Sequence, residues 1–262
     1  MDAKEKIEEY YSTFNEDERL SSRFGNVEFV MTVHYIEKYL KPGARIIEIG
    51  AGTGRYSHHF ARQGYEVDAV ELVAGNIEIL KANTQYGEKI KVMQGNAVDL
   101  SNIESEKYDI TLLLGPMYHL SNECDGRMAL SEALRITQRG GIVFSAYILN
   151  EMTIMDNMFV NKNIETEETK EYIKQNGFHY GSFYKGIFTI RRIEEIDSLM
   201  KDLPVEMLHR VGTDMFSILI QPLLDSMSEE TYKYYLDYIL SICERRDMIG
   251  LSGHLLDVFR KN

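Results

Sequence analysis

The sequence predicts an α/β fold in which helices cover both faces of a mostly parallel β-sheet. Between residues 44 and 150, apolar β-prone segments alternate with amphipathic helical segments. The run Ile110–Leu114 is continuously apolar, which is typical of a strand buried on both faces. The first strand begins at Ala44 and runs directly into a glycine-rich turn and a helix, as in doubly wound α/β folds.

The predicted elements follow in an order that gives seven strands. After the first strand, strands are predicted over residues 65–72, 108–114, 141–148, 205–211 and 254–259, and a third strand precedes Gly95. Helices are predicted over residues 56–62, 75–86, 126–137, 193–203 and 229–246, and residues 100–107 are expected to form only a turn. The last strand is expected to run antiparallel, in a hairpin with the sixth.

Composition and charge exclude several partners. Among 262 residues, 41 Asp and Glu against 29 Lys and Arg give a net charge of −12, so nucleic acid is not expected as a partner. No apolar run approaches the roughly 20 residues of a membrane span, and the first residues lack the apolar stretch of a secretion signal. A cytoplasmic location without membrane contact is therefore expected. Cys124 and Cys243 show no metal-ligand spacing and are expected to be free thiols.

The glycine-rich turn predicts a ligand site. Gly50, Gly52 and Gly54 alternate, which allows backbone conformations that side chains would block and lets a ligand approach the main chain. Glu71 ends the second strand and follows Gly50 by 21 positions. Folds of this type place the acid that binds a ribose at a spacing of about 20. Together these features predict an adenosine-containing ligand.

Glu48 and the glycine spacing narrow the choice of ligand. Dinucleotide sites prefer Gly-x-Gly-x-x-Gly, but Arg55 stands in the slot of the third glycine. The Glu48 carboxylate would repel a pyrophosphate, whereas it suits a ligand that carries an ammonium and a sulfonium. The pattern Glu48-x-Gly50-x-Gly52-x-Gly54 resembles motif I of the class I S-adenosylmethionine-dependent methyltransferases.

This resemblance covers about residues 44–147 and implies a Rossmann-like fold, with S-adenosylmethionine as cofactor and S-adenosylhomocysteine as product. Glu71 matches the acid that holds both ribose hydroxyls. Asn96 stands where the family usually has an acid for the adenine amino group, and its carbonyl oxygen can accept the same hydrogen bond. The cofactor-binding residues that the resemblance implies are Tyr11, Arg23, Glu48, Gly50, Ala51, Gly52, Gly54, Tyr56, Glu71, Leu72, Asn96, Ala97, Leu114 and Gly115.

The loop after the fourth strand, residues 115–119, is the one that in this family passes the transferable methyl. Methyl transfer from a sulfonium needs a general base only when the acceptor must lose a proton. His119 is the candidate base because histidine titrates near neutral pH, although it could instead hold the loop through a hydrogen bond. Tyr118 could orient an acceptor or simply pack. No metal site is expected.

The acceptor is expected to be a small organic molecule. Enzymes that methylate amino groups of bases or glutamine usually carry a polar residue before Pro-Pro-aromatic, whereas Leu114 and Gly115 precede Pro116 here. No Pro-Cys pair is present for attack on cytosine. The chain is similar to the small-molecule methyltransferases of ubiquinone and menaquinone biosynthesis, and residues 114–120 and 243–254 resemble a bacterial branch of unassigned substrate.

Four zones are expected along the chain. Residues 1–43 form an N-terminal helical lid, residues 44–150 the cofactor-binding core, residues 151–200 a substrate-covering insertion, and residues 201–262 the completion of the sheet. The lid could close over the donor or simply cover the sheet. Aromatic residues of the insertion fit an apolar acceptor, a packed core or the interface of a homodimer.

Two alternative functions remain open at this point. One is a protein that binds S-adenosylmethionine without catalysis, because every well-supported residue belongs to the cofactor site. The other is a nicotinamide-dependent oxidoreductase, which the glycine spacing and Glu48 disfavour.

Overall fold

A mixed β-sheet organises the part of the chain that the structure describes. The structure is a computed structural model, and it describes Ile7, Glu9, Tyr10, residues 22–181 and residues 187–262. The strands in these residues are β1 (Arg45–Ile49), β2 (Glu66–Glu71), β3 (Lys89–Gln94), β4 (Tyr108–Leu113), β5 (Thr137–Leu149), β6 (Ile190–Arg191), β7 (Val205–Gly212) and β8 (His254–Lys261).

The strand order confirms the predicted α/β class. Along the sheet the order is β3-β2-β1-β4-β5-β8-β7, and β6 pairs with the end of β5 outside this path. Strands β1 to β5 are parallel, and β8 runs antiparallel to both β5 and β7. The short strand β6 was not predicted, since two residues are too few to show a strand periodicity. The chain order reverses between β1 and β4, where ligands bind in open α/β sheets.

Helices connect the strands and cover the sheet. They are α1 (Arg23–Glu37), α2 (Arg55–Arg62), α3 (Ala74–Asn83), α4 (Glu123–Ile136), α5 (Asn150–Ile154), α6 (Glu167–Gln175), α7 (Ile193–Met200), α8 (Gln221–Ser226) and α9 (Glu229–Ile242). Side chains fix several starting points: the Asn122 side chain accepts a hydrogen bond from the N–H of Asp125 before α4, and Ser228 accepts from Thr231 before α9. Residues 100–107 form turns, as predicted.

Alternating residues of the central strands fill two apolar layers, one on each face of the sheet. On one face, Ile46 and Phe144 pack in a cluster with Phe60 of α2. On the other face, Ile47 belongs to a cluster with Leu130 of α4. Because successive side chains of a strand point to opposite faces, both layers need apolar residues, which explains the continuous apolar runs in the sequence.

The start of β5 differs from the prediction. Gly140 and Gly141 were expected to end the preceding helix, with the strand beginning at Gly141. Instead the helix ends at Ile136, the strand begins at Thr137, and the register between β4 and β5 shifts there. Gly140 has a φ of +74°, and a Cβ on Gly141 would lie 2.7 Å from Thr137 Cγ2. The glycine pair therefore permits an irregularity inside the strand. In the sequence, such a pair cannot be told apart from glycines that end a helix.

The topology brings distant parts of the chain to one edge of the sheet, which we call the carboxyl edge. Strands β1 to β5 end there, and β7 ends there too because it runs parallel to β5. Strand β8 begins there, since His254 pairs with Ile148 near the end of β5. Any chemistry at this edge can therefore use residues after β7 and at the start of β8.

Candidate active site

The turn after β1 has the backbone geometry that its glycines predicted. Gly50, Gly52 and Gly54 have φ values of +73°, +55° and +92°, in the left-handed region that glycine adopts readily. A Cβ on Gly50 would lie 2.6 Å from Cδ of Pro116, so the turn after β1 packs directly on the loop after β4. A Cβ on Gly52 would meet no atom within 4 Å. The space beside Gly52 is thus open to a ligand.

Glu71 is fixed at the end of β2 by backbone donors. Its Oε2 accepts a hydrogen bond from the Gly52 N–H at 2.8 Å, and its Oε1 accepts from the Val73 N–H at 2.8 Å. The side chain is 5% exposed. Two carboxylate oxygens offer about four acceptor positions. The carboxylate is therefore held in one orientation and keeps acceptor capacity for the hydroxyls of a ribose.

Glu48 lies buried beneath the glycine turn. The N–H of Ser57 donates to its Oε2 at 2.9 Å, and the Ser57 hydroxyl donates to the same oxygen. Burial raises the pKa of Glu48 to about 8, against the opposing effect of the two Ser57 hydrogen bonds. A cation placed nearby would favour the charged form. The site therefore contains a buried acid whose ionisation a positively charged ligand would promote.

The loop after β3 lies next to Glu71. The N–H of Gly95 donates to the Glu71 carbonyl at 3.0 Å, and the Gln94 side chain donates to the Leu72 carbonyl at 3.0 Å. Asn96 is exposed, and its Oδ1 accepts a hydrogen bond from the Val98 N–H at 3.3 Å. Ala97 is buried. The structure thus brings the predicted adenine-side residues to the same edge as the predicted ribose acid.

The loop after β4 is fastened to the inserted segment. The Thr189 N–H donates to the Tyr118 carbonyl at 2.6 Å, and His119 Nδ1 lies 2.9 Å from the Ile187 carbonyl. The Phe188 ring packs on the His119 ring with centroids 5.2 Å apart. Burial lowers the pKa of His119 despite the opposing Ile187 hydrogen bond. His119 therefore connects the loop to the insertion as a neutral imidazole.

Two further residues predicted for the cofactor make contacts with other helices, and a third lies outside the described residues. Arg23 donates through Nη1 to the carbonyls of Leu224 at 3.0 Å and Met227 at 2.6 Å, and its Nη2 contacts Glu229. Its guanidinium is thus held by α8 and α9. Tyr56 is buried in the first turn of α2, where its ring packs on that of Phe29 with centroids 5.0 Å apart. Tyr11 lies outside the described residues.

A group that sequence reasoning missed also lies at the carboxyl edge. Asp214 follows β7 and accepts a hydrogen bond from Nδ1 of His254 at 2.7 Å. Glu28 of α1 places its Oε2 3.7 Å from the same nitrogen. The His254 ring centroid is 5.7 Å from that of Tyr118. Asp214 follows the end of β7 by two residues, and its position on a loop at the carboxyl edge was the one signal in the sequence that could have drawn attention to it.

The described residues show neither a metal-binding cluster nor a membrane-spanning helix. Among them, no group of three or more His, Cys, Asp or Glu side chains is arranged to hold a metal ion. None of the described helices is both long and apolar enough to cross a membrane.

Comparison with known proteins identifies the domain that carries this site. Residues 46–141 match the family model described as a methyltransferase domain. The chain is 30% identical over 105 residues to the ubiquinone biosynthesis O-methyltransferase of Azorhizobium caulinodans, which covers 38% of this chain. The match spans only 41% of that relative's length.

Solved structures share the fold over the whole chain. One is an S-adenosylmethionine-dependent methyltransferase of Thermotoga maritima, described as a possible histamine N-methyltransferase, with a TM-score of 0.58, 18% identity and full coverage of both chains. Another is the geranyl diphosphate C-methyltransferase of Streptomyces coelicolor, with a TM-score of 0.59, 13% identity and coverage of 100% and 99%. The domain match, the fold and the glycine turn agree: residues 46–141 carry a methyltransferase domain, and the chain shares the fold of solved S-adenosylmethionine-dependent methyltransferases.

Proposed function

We propose that the protein transfers a methyl group from S-adenosylmethionine to a small organic acceptor. The observation that carries this proposal is the pairing of two buried acids, Glu48 and Glu71, with an open glycine turn between them. Glu71 can accept hydrogen bonds from the ribose hydroxyls of a sulfonium nucleoside, and the cation of that nucleoside would favour the charged form of Glu48, whose pKa the fold raises to about 8. The family match supports the same donor.

The bound donor would supply an activated methyl group, so the chain's own task is mainly placement. Glu71 would hold the ribose through its oriented carboxylate, and the residues around Asn96 would border the adenine. Leu114 and Gly115 would border the reacting end, because their loop packs on Gly50. Holding two reactants in line can contribute several kcal/mol, up to roughly 7–11 in favourable model reactions.

The inserted segment and the N-terminal segment would close the acceptor side. Tyr10 packs edge-on against Phe188, with ring centroids 5.2 Å apart, and Phe188 in turn packs on His119. This chain of rings supports the proposals that residues 151–200 cover the substrate and that residues 1–43 act as a lid. Tyr118 and His119 are the acceptor-side residues that the sequence predicted.

A small, uncharged or weakly charged acceptor fits the acidic character of the chain, with a net charge of −12. The name of the Azorhizobium relative concerns ubiquinone biosynthesis, which supports a small-molecule acceptor without identifying it. A homodimer and a cytoplasmic location stay predictions from the sequence.

Calorimetric titration with S-adenosylhomocysteine, beside NADH, tests the donor. Binding of the thioether nucleoside and no binding of NADH is the expected result, and the reverse pattern would establish a nicotinamide site. A screen with isotopically labelled methyl donor and a panel of phenols, amines, thiols and carboxylates then tests catalysis. Tight nucleoside binding without labelled product from any class would favour a binding protein over an enzyme.

A further inference from the structure

His254, Asp214, Glu28 and Tyr118 form a cluster at the carboxyl edge, and none of the four was predicted to bind the cofactor. Its members come from the start of β8, the end of β7, helix α1 and the loop after β4. They meet where β5 ends, because His254 pairs with Ile148. This places the cluster beside the loop after β4, which packs against Gly50 and carries Tyr118.

We propose that His254 is the general base that takes a proton from the acceptor and that Asp214 is the residue that positions it. The proposal rests on the methyltransferase function proposed above and assigns the acceptor a chemical class, a neutral hydroxyl compound of phenol type.

Asp214 is built to remain a carboxylate. It is 0% exposed, and its Oδ1 accepts three hydrogen bonds, from the Ser252 hydroxyl at 2.7 Å and from the backbone N–H groups of Gly253 at 2.8 Å and His254 at 2.9 Å. Burial opposes the charged form, but the attraction of His254 and these hydrogen bonds hold the pKa of Asp214 below its usual range. A buried anion with this many donors is a fixed feature of the fold.

The hydrogen bond to Asp214 decides the tautomer of His254. The Asp214 Oδ2 can only accept, so Nδ1 of His254 donates across the 2.7 Å contact. The basic nitrogen of the neutral ring is then Nε2. A histidine whose Nδ1–H is held by a buried carboxylate is the arrangement that steadies an imidazolium after it takes a proton.

Charges around the His254 ring also favour its protonated, imidazolium form. The titratable side chains described against His254 are Asp214, Glu28 and Tyr118. Two of the three are acids, so a proton gained by His254 forms a cation between carboxylates. His119, by contrast, is fixed by the neutral carbonyl of Ile187, and burial disfavours its charged form. Of the two histidines, His254 is the better proton acceptor.

The class of acceptor follows from the same charges. A carboxylate acceptor would be placed beside Asp214 and Glu28 and repelled by them. An amine attacks through its lone pair and gains little from a base in the transition state. A neutral hydroxyl gains most, because its oxygen is a weak nucleophile until the proton leaves. The aromatic rings of Tyr118 and Phe188 near this edge suit an apolar or aromatic body.

The step balances without any further reactant. The acceptor's O–H bond breaks as its oxygen forms a bond to the donor's methyl carbon, and the proton passes to Nε2 of His254. The electron pair of the broken carbon–sulfur bond stays on sulfur, which becomes a neutral thioether. The imidazolium then returns its proton to solvent.

The test uses the full chain with saturating S-adenosylhomocysteine and 4-nitrophenol as the probe, at a pH below the phenol's own ionisation. In the wild-type complex the bound phenol should ionise, and its visible phenolate band should appear. His254→Asn keeps a donor for Asp214 but removes the basic nitrogen, so the phenol should stay protonated.

In a second measurement, with labelled methyl donor, turnover of the phenol by His254→Asn should fall by about 100-fold or more. Asp214→Asn should weaken ionisation while leaving nucleoside affinity intact, a pattern that a purely structural role would not produce.

His209→Asn is the matched control, because His209 also pairs with a carboxylate, that of Glu244 at 2.9 Å, on the neighbouring strand β7. It should behave as the wild type. His254→Gln serves as a second variant should His254→Asn unfold. Failure of the wild type to bind S-adenosylhomocysteine overturns the proposed function itself. Nucleoside binding with no phenol binding, or with an equal phenolate band in the wild type and in His254→Asn, overturns the role of His254 alone.

Discussion

The two halves of the carboxyl edge are built in different ways. On the cofactor side, Glu48, the glycine turn, Glu71 and Asn96 each lie at or near the end of a strand and within about fifty consecutive residues. On the acceptor side, Glu28, Tyr118, Asp214 and His254 come from positions spread over most of the chain. The cofactor side is a local pattern that repeats from strand to strand. The acceptor side comes together only when the sheet has formed.

The difference reflects what each ligand requires of the protein. A shared cofactor needs the same contacts in every relative, so its site follows the regular rhythm of the fold. An acceptor site only has to bring suitable side chains to one place, and any element that reaches the edge can supply them. Variants on each side of the carboxyl edge can test how far this division holds.

The strongest test of the cofactor side is Glu71→Ala. It removes the carboxylate expected to accept from both ribose hydroxyls, and a hydrogen bond to a charged group contributes about 1.5–3 kcal/mol. Affinity for S-adenosylhomocysteine, measured by calorimetry, should fall roughly 100-fold. Glu66→Ala is the control, since Glu66 is an exposed acid on the same strand. Equal affinity in the two variants would remove Glu71 from the site.

Gly50→Ala tests whether the two halves are held together at the strand reversal. Its Cβ would lie 2.6 Å from Pro116 Cδ, at a φ of +73°. The strained backbone costs about 1–2 kcal/mol, and the clash adds to it, so the free energy of unfolding should drop by more than that. Gly43→Ala is a matched control, because Gly43 has a φ of +77° with no atom within 4 Å of the added Cβ. If urea unfolding shows the same loss of stability for both variants, the contact between the two loops does not contribute to the free energy of unfolding.

Glu48→Gln tests the buried acid through pH. The pKa of Glu48 is raised to about 8 in the fold from an ordinary value of 4.5. The folded state thus keeps a proton that the unfolded chain releases, and the resulting stability is complete below pH 4.5 and lost as pH rises through 8. Glutamine has no such proton to lose. The melting temperature of Glu48→Gln should therefore rise relative to that of the wild type as the pH increases between these two values. Parallel curves for the two proteins would show that Glu48 is ionised throughout.

The smallest effect is expected for His119→Asn. Asparagine can keep a donor towards the Ile187 carbonyl, so the loop after β4 should stay fastened to the insertion. If His119 only positions this loop, labelled-methyl transfer to a phenol should keep most of its rate, with a larger change in KM than in kcat. A loss as large as that of His254→Asn would return the role of base to His119 and erase the contrast drawn between the two histidines.

Much of the fold could be predicted because its rules act over short distances. The apolar run of β4 and the strand ending in Glu71 agree with the prediction to within about two residues, since burial on both faces leaves a clear pattern. The irregular start of β5 could not be predicted, because Gly140 and Gly141 look alike in a helix stop and in a bulged strand. The two residues of β6 pair only because the insertion folds back onto the end of β5.

The residues of the candidate site can likewise be divided into those predicted from local sequence and those whose contacts depend on the tertiary structure. Glu48, Gly52 and Glu71 were predicted for the cofactor from their spacing and the family resemblance, and one hydrogen bond, from the Gly52 N–H to Glu71 Oε2, joins the last two. The guanidinium of Arg23, expected at the cofactor, is held by the carbonyls of Leu224 and Met227, about two hundred residues away in sequence. No periodicity connects such positions.

The order of the seven long strands and the glycine turn followed from the sequence alone, which also singled out Glu48 and Glu71 for the cofactor. Each of these depends on neighbours a few residues away, where backbone sterics and apolar periodicity act. Only the tertiary structure decided that His254 meets Asp214, Glu28 and Tyr118, because an antiparallel last strand returns the chain to the edge where the parallel strands end. Long-range pairing of strands creates that meeting, and it leaves no mark on the local sequence.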